Sequence, residues 1–368
     1  MPRLSPVALL LVAGLGALPA GHAWAQVAPV PAGVPSPAPA DSLDFGEFGD
    51  ADDKKVRTFA TQKVLYLSPT KLISVGYEGQ TDFDLMSEGP HRAQITPGPG
   101  HIPGPIPVVE TTQPVNRFGG LRLGVNAPVI SRSSFILNLG LTYWNTDVRL
   151  DNPEQSALFG ALRRGLRSTG VNATVFKPFD NKHYLLLQAN ADLSGNYRNL
   201  DDISSEALTY SGTAIYGWKP NDNYMWGLGV TRTYRAGQLL HIPVVFYNRT
   251  FSPRWGVEAV FPARANVRRN FGTSSLLMLG YEIEGNAYYL GPVNGQDIFL
   301  RRGELKPRLT YERQLAGFVW LSAQVGYRYN WRFDAFATQN PKDDEKAVFT
   351  NDLGNPLYFN VSVNLVSP

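Results

Sequence analysis

From Val56 onward the chain alternates apolar and polar side chains with a period of two. Phe135, Leu137, Leu139, Leu141 and Tyr143 oppose Asn138, Gly140 and Thr142. Leu185, Leu187, Ala189, Ala191 and Leu193 oppose Gln188, Asn190 and Asp192, and Val319, Leu321, Ala323, Val325 and Tyr327 oppose Ser322, Gln324, Gly326 and Arg328. Successive side chains of a strand point to opposite faces, so each segment carries one greasy and one polar side. The pattern predicts strands at Val56 to Leu67, Lys71 to Leu85, Val115 to Ala127, Ser134 to Val148, Leu166 to Phe176, Tyr184 to Arg198, Ala207 to Trp218 and Tyr224 to Tyr234. It continues with His241 to Thr250, Trp255 to Phe261, Ala263 to Phe271, Ser275 to Leu290, Ile298 to Glu312, Phe318 to Phe333 and Leu357 to Leu365. No amphipathic helix of ten or more residues is expected.

The polar faces carry mostly small, uncharged residues, as a crowded barrel interior prefers, whereas a soluble sandwich would place Lys and Glu there. Many segments reach the ~9 to 11 residues of a tilted bilayer-crossing strand. Aromatic residues gather at strand ends (Tyr143, Trp144, Phe176, Phe179, Tyr184, Trp218, Tyr224, Trp226, Tyr329 and Trp331), the pattern of interfacial girdles. Short connections at Ser68-Pro69-Thr70, Pro178 to Lys182, Lys219 to Asn223, Phe251 to Arg254 and Gly272 to Ser274 alternate with longer ones at Met86 to Pro114, Arg149 to Gly165, Asn199 to Glu206, Gly291 to Asp297 and Asp334 to Pro356. Outer-membrane barrels have short periplasmic turns and long outer loops, and both ends normally lie in the periplasm. The expected fold is therefore all-β: a transmembrane, antiparallel, up-and-down β-barrel of about 14 strands, within a range of about 12 to 16, with Val56 to Leu67 outside the wall.

Residues 1–25 read as a signal peptide: Arg3, an apolar run from Val7 to Leu18, and a cleavage site at Ala23-Trp24-Ala25. Residues 26–55 form a Pro/Ala-rich spacer and acidic lead-in, and 56–368 the barrel. An exported chain with this pattern is expected in the outer membrane of a Gram-negative bacterium, in contact with its lipids and with the barrel-assembly machinery. The final strand, PLYFNVSVNL, is the one that machinery would read, although the chain ends Val366-Ser367-Pro368 and not on an aromatic residue. There are no cysteines, so no disulfides form. Net charge is +3 with signs interspersed, which argues against a nucleic-acid partner.

Charge is concentrated on the polar faces near the C-terminal end. Glu258, Arg264, Arg268, Glu282, Glu284, Arg302, Glu304, Lys306, Arg308, Glu312 and Arg328 all fall on faces expected to point inward. Such charges line a polar pore or form a salt-bridged filling. No catalytic residue, cofactor or metal site is expected. His91 and His101 lack a zinc-ligand spacing, and Ser68-Pro69-Thr70-Lys71 matches Ser-x-x-Lys without the helix that chemistry needs. The Gly/Pro-rich run Ile95 to Val109 reads as a surface loop, and the glycosylation patterns at Asn172, Asn248 and Asn360 fall in strands.

The stretch HIPVVFYNRTFSPRWGVEAVFPARANVRRNFGTSSLLMLGYEIEGNAYYL (His241 to Leu290) resembles an uncharacterised family of bacterial outer-membrane β-barrels, a domain of unknown function. The resemblance covers about Val56 to Leu365 and implies fold and location, with no functional residues to carry over. The expected function is a porin-like channel, passive or weakly selective for small polar solutes, and not an enzyme. The alternatives are a closed structural or adhesive barrel whose loops bind a partner and, less favoured, an outer-membrane lipid hydrolase working through His183 or His241.

Overall fold

The computed structural model describes residues 64–90, 108–199, 202–234, 237–342 and 345–367. The leader, the spacer, His91, His101 and residues 95–107 of the Gly/Pro-rich run lie outside the described residues. Eighteen hydrogen-bonded segments join end to end into fourteen wall strands. They are β1 (Lys71–Gln80 continuing as Phe83–Pro90), β2 (Val108–Arg132), β3 (Phe135–Leu150), β4 (Leu166–Pro178), β5 (His183–Gly195), β6 (Leu208–Asn221) and β7 (Tyr224–Thr233). The second half comprises β8 (Leu240–Ser252), β9 (Trp255–Phe261), β10 (Arg264–Asn270), β11 (Ser275–Val293) and β12 (Gln296–Ala316). It ends with β13 (Val319–Tyr327, Tyr329–Arg332 and Ala335–Phe336) and β14 (Thr350–Leu353 and Leu357–Val366). One short helix, α1 (Ala157–Leu162), lies between β3 and β4.

Each strand pairs antiparallel with the next, and β14 returns to β1 with Val363 opposite Val75 and Phe359 opposite Gly79. Through the height that the short strands β9 and β10 span, closure leaves no free edge and each strand satisfies its backbone within the wall. The outward residues form an apolar belt: Val75, Val125, Leu141, Val171, Leu228, Val230, Val267, Leu279, Val325 and Val363 are all exposed. An exterior this apolar is stable only against lipid, which makes the fold a transmembrane barrel. Phe179, Phe251, Trp255, Phe271 and Phe318 are exposed at the end with the tight turns, and Tyr77, Tyr210 and Tyr329 towards the end with the loops. Phe176, Tyr184 and Trp144, expected in a girdle, instead point into the lumen, the first two buried and Trp144 beneath Arg122. The apolar-to-polar alternation assigns their face, and proximity to a strand end does not.

Three connections differ from expectation. In the first, Asp334 to Pro356, the segments Ala335–Phe336 and Thr350–Leu353 extend β13 and β14. The strands flanking Met86 to Pro114 run on as far as Pro90 and resume at Val108, so much of that loop is wall. The β11–β12 connection is only Asn294-Gly295, both at positive φ (51° and 82°), the geometry of a tight type I′ hairpin turn.

Wall height is uneven, and this positions everything inside. β9 and β10 have 7 residues each, whereas β11 has 19 and β12 has 21. The β11–β12 hairpin therefore rises far above its neighbour β10, whose pairing ends at Arg264 opposite Glu282. Above that point Tyr289 lies beside Gly195 of β5, a strand from the other side of the barrel. Every residue from Ile298 to Glu304 is buried, on both faces. A wall strand keeps one face to lipid, so the upper hairpin, still paired to β13 as far as Phe299 opposite Phe336, is covered on both faces and leans over the lumen towards β5.

Candidate functional site

The lumen has a roof, a floor, a charged side and a polar side. The roof is an apolar core: Leu158, Phe159 and Leu162 of α1 pack with Phe118, Val148, Leu166, Tyr288, Leu290, Ile298 and Leu300. The Ser156 side chain accepts a hydrogen bond from the Leu158 N–H and so caps α1. The hairpin is tied to the opposite wall by Asn196, whose amide donates to the Leu290 carbonyl at 2.9 Å, and by Asn286, which donates to Ser168 Oγ at 3.1 Å. On its other face Arg301 donates to the Gly237 carbonyl at 3.1 Å from the β7–β8 loop.

The floor is the segment preceding β1. Val64 packs with Phe176, Tyr184 and Met225 inside the turn-bearing end. Gly217 makes room for the Tyr184 ring, since a Cβ there would lie 2.1 Å from Cζ. The backbone of Leu65 and Tyr66 is held by Asp222, Thr250 and Asn270, and Ser68 donates to Glu258 twice, from N at 2.9 Å and from Oγ at 2.6 Å. Ser68 thus holds the strap in place, in a segment without the helix that acyl-transfer chemistry would need.

On the charged side, Arg122, Arg302, Lys306 and Arg328 meet Glu78, Glu284 and Glu304. Lys306 Nζ lies 2.9 Å from Glu78, 2.8 Å from Glu284 and 3.8 Å from Glu304. Arg122 reaches Glu78 at 2.6 Å and Glu284 at 3.3 Å. Arg302 and Arg328 each reach Glu304 Oε2 at 3.0 Å, and Arg328 also bonds Glu78 and Gln80. Aromatic rings wrap the cations: Phe118 lies under Arg302 at 4.8 Å, Tyr358 under Lys306 at 4.7 Å and Trp144 under Arg122 at 4.7 Å. These groups sit immediately beneath the roof, where removing one partner strands a buried charge.

The other predicted charges separate into pairs. Arg308 contacts Glu282 at 2.5 Å, Glu312 takes Lys71 at 2.7 Å, and Arg268 lies 3.3 Å from Glu258 at the floor. Arg264 is exposed at the top of β10, opposite Glu282 in register. Glu78 and Arg122 belong to the cluster and were missed from the sequence, as was Lys71, which an irregularity between Lys71 and Ile73 displaces from the alternation of β1. The same alternation marks the first two: Gly76, Glu78 and Gln80 form one face of β1, and Gly120, Arg122 and Gly124 one face of β2.

The polar side differs in accessibility. Asn138, Thr142, Asn172, Gln188, Asn190, Ser211, Thr213 and Thr231 point inward from β3 to β7 and are half-exposed. Gln188 donates to Asn190 at 2.9 Å, Asn190 to Ser211 at 2.9 Å, and Thr213 and Thr231 are 2.7 Å apart. Between roof and floor this side is a water-accessible chamber. Asn172, Asn248 and Asn360, which match glycosylation patterns, sit in strands β4, β8 and β14.

His183 sits at a tight turn, 2.7 Å from Asp180, and His241 on the outer wall; among the described residues neither is hydrogen-bonded to a serine. No group of three or more metal-ligating side chains occurs among the described residues.

A closed fourteen-strand barrel with an apolar exterior and a polar, partly filled interior is a transmembrane β-barrel protein. The chain belongs to the family described as a domain of unknown function, DUF6268, whose model matches residues 136–365. No curated protein matches the sequence. Among solved structures the chain is similar to a Pseudomonas aeruginosa FadL homologue at 10% identity, with 80% of this chain and 89% of that one covered and a TM-score of 0.36. It is also similar to the Pseudomonas putida toluene transporter TodX at 8% identity, covering 82% and 91%, TM-score 0.32. The outer membrane protease OmpT from Escherichia coli aligns at 8% identity over 81% and 96%, TM-score 0.25.

Proposed function

We propose that the protein is a channel of the Gram-negative outer membrane that passes small polar solutes, and that its lumen is closed here by the roof and the floor strap. The observation that carries this reading is the chamber's lining, the inward hydroxyls and amides of β3 to β7 that remain half-exposed. A barrel built solely as a scaffold gains nothing from inward polar groups that remain wet. The leader-like N-terminus and the apolar exterior support the location, and β14, with its alternating face, is the segment proposed for the assembly machinery. The buried charge network holds the β11–β12 hairpin against β1, β2 and β13 in the closed geometry, while the opposite side stays open. Passage then requires the β11–β12 hairpin to move away from β4 and β5.

The chain has no cysteines, so an engineered disulfide is its only one. Ser168→Cys/Asn286→Cys joins side chains that touch at 3.1 Å and ties the hairpin to β4. In planar bilayers the native protein is expected to give discrete openings that disappear in the oxidised double variant and return on reduction. Absence of any conductance from the native, heat-modifiable protein would overturn the channel reading. It would favour the second one, a closed barrel, for which the filled roof and floor speak.

A further inference from the structure

The lipid-facing wall carries an apolar groove that the channel reading does not use. Ala173, Ala189 and Gly212 lie directly opposite one another on β4, β5 and β6, and the same register row continues to Arg232 of β7 and His241 of β8. The flanking rows are taller at most positions, reading Val171, Ala191 and Tyr210 above and Val175, Leu187, Ala214 and Val230 below. Two cavities of about 460 and 570 Å³ share Ala173 and Ala189, so they form one continuous trench. From Ala173 to His241 the row crosses four strand spacings of about 4.8 Å, or roughly 19 Å.

One end of the trench is cationic. The Arg232 guanidinium donates to the Tyr210 carbonyl and lies 5.8 Å from the Tyr234 ring. The outward faces of β4 to β8 carry no Asp or Glu, so no carboxylate on this wall answers its charge. His241 is exposed beside it and adds a ring nitrogen able to donate. Both lie at the loop-bearing ends of their strands, level with Tyr210, where an interfacial headgroup plane is expected.

We propose that this trench holds one acyl chain of the phosphate-bearing glycolipid of the outer leaflet, with the phosphate on Arg232 and His241. Charge complementarity selects the phosphate, and the small-residue floor between taller rows admits the chain. The assignment of leaflet rests on the outer-membrane reading above, in which the loop-bearing end faces out.

The test uses full-length protein in nanodiscs of zwitterionic lipid, offered either lipid A or phosphatidylglycerol, with bound lipid counted by native mass spectrometry. Ala189→Phe fills the trench and Arg232→Gln removes its charge, and each is expected to lower lipid A retention about tenfold. Leu228→Ala, on the same wall but outside the trench, is expected to change nothing. Equal retention in all three variants, or preference for phosphatidylglycerol over lipid A, would overturn the proposal. Failure of the membrane reading looks different: such a protein would not enter nanodiscs and would retain neither lipid.

Discussion

Replacing Lys306 by Met asks whether the charge cluster is a filling or a hydrated lining. Lys306 is 1% exposed and is the cation that touches all three carboxylates of the cluster. Without it Glu78 keeps Arg122 and Arg328, Glu304 keeps Arg302 and Arg328, and Glu284 keeps Arg122 alone at 3.3 Å. Breaking a buried pair from one side costs about 3 to 5 kcal/mol, and the surviving arginines place this case near the lower figure. Adding Glu284→Gln removes the carboxylate left worst off, so the double variant is expected to recover about 1 to 2 kcal/mol of the summed single losses. Arg163→Ala breaks the exposed pair with Glu154, 3.6 Å apart, and is expected to cost under about 1 kcal/mol. The assay is urea unfolding in detergent micelles, followed by tryptophan fluorescence and by the heat-modifiable gel band, with refolding checked for reversibility. A loss for Lys306→Met no larger than that for Arg163→Ala would refute the buried-network account and show that water reaches these charges.

Three further outcomes follow from the other parts of the lumen and its turns. Leu158→Ala empties a fully buried site in the roof and is expected to cost about 2 to 5 kcal/mol in the same unfolding assay. Glu258→Gln weakens the acceptor of both Ser68 hydrogen bonds, at about 1 to 3 kcal/mol, and is expected to speed proteolysis near Tyr66; cleavage at the native rate would mean the strap is held elsewhere. At the tight turn before β5, Asp180 accepts from the backbone N–H groups of His183 and Lys182 and from the His183 ring, which lowers its carboxyl pKa from 3.8 to about 2. A depressed carboxyl contributes its full share above its unfolded value and loses it as pH falls through the folded one. The His183 amide resonance is therefore expected to move between about pH 4 and 2, and to stay put in Asp180→Asn.

What a reader of the sequence can recover divides along a physical line. Alternation reports which side of a strand meets lipid, and it placed β3, β5, β13 and β14 on the correct faces because each is buried on one side only. Strand number followed from counting the alternating segments with both ends on the periplasmic side, although the β9–β10 and β11–β12 connections are as short as the periplasmic turns. Curvature is different in kind. The upper β11–β12 hairpin reads as more wall, yet Ala287, Tyr288, Leu290, Ile298, Phe299 and Leu300 are buried from both faces. The signal was present as unbroken apolar runs, Ala287 to Leu290 and Ile298 to Leu300, since only a strand covered on both sides affords consecutive large apolar residues. Asn294-Gly295 was a second signal, because an Asn-Gly pair between such runs marks a tight hairpin tip and not a loop.

The inward fold of that hairpin also explains why the charges gather where they do. Glu284, Arg302 and Glu304 lie on the stretch of β11 and β12 that has left β10 behind and Lys306 at its base opposite Glu282, with Arg122, Glu78 and Arg328 facing them from β2, β1 and β13. A hairpin crossing a lumen needs contacts that fix its angle, and apolar packing alone tolerates sliding more readily than ion pairs of fixed geometry do. The cluster is then a registration device for the roof. Its consequence for the proposed channel is specific: Lys306→Met is expected to raise open probability in bilayers as it lowers stability, because the contacts that anchor the closed roof are the ones removed. Lower stability with no change in opening would separate the cluster from gating and leave it a structural filling.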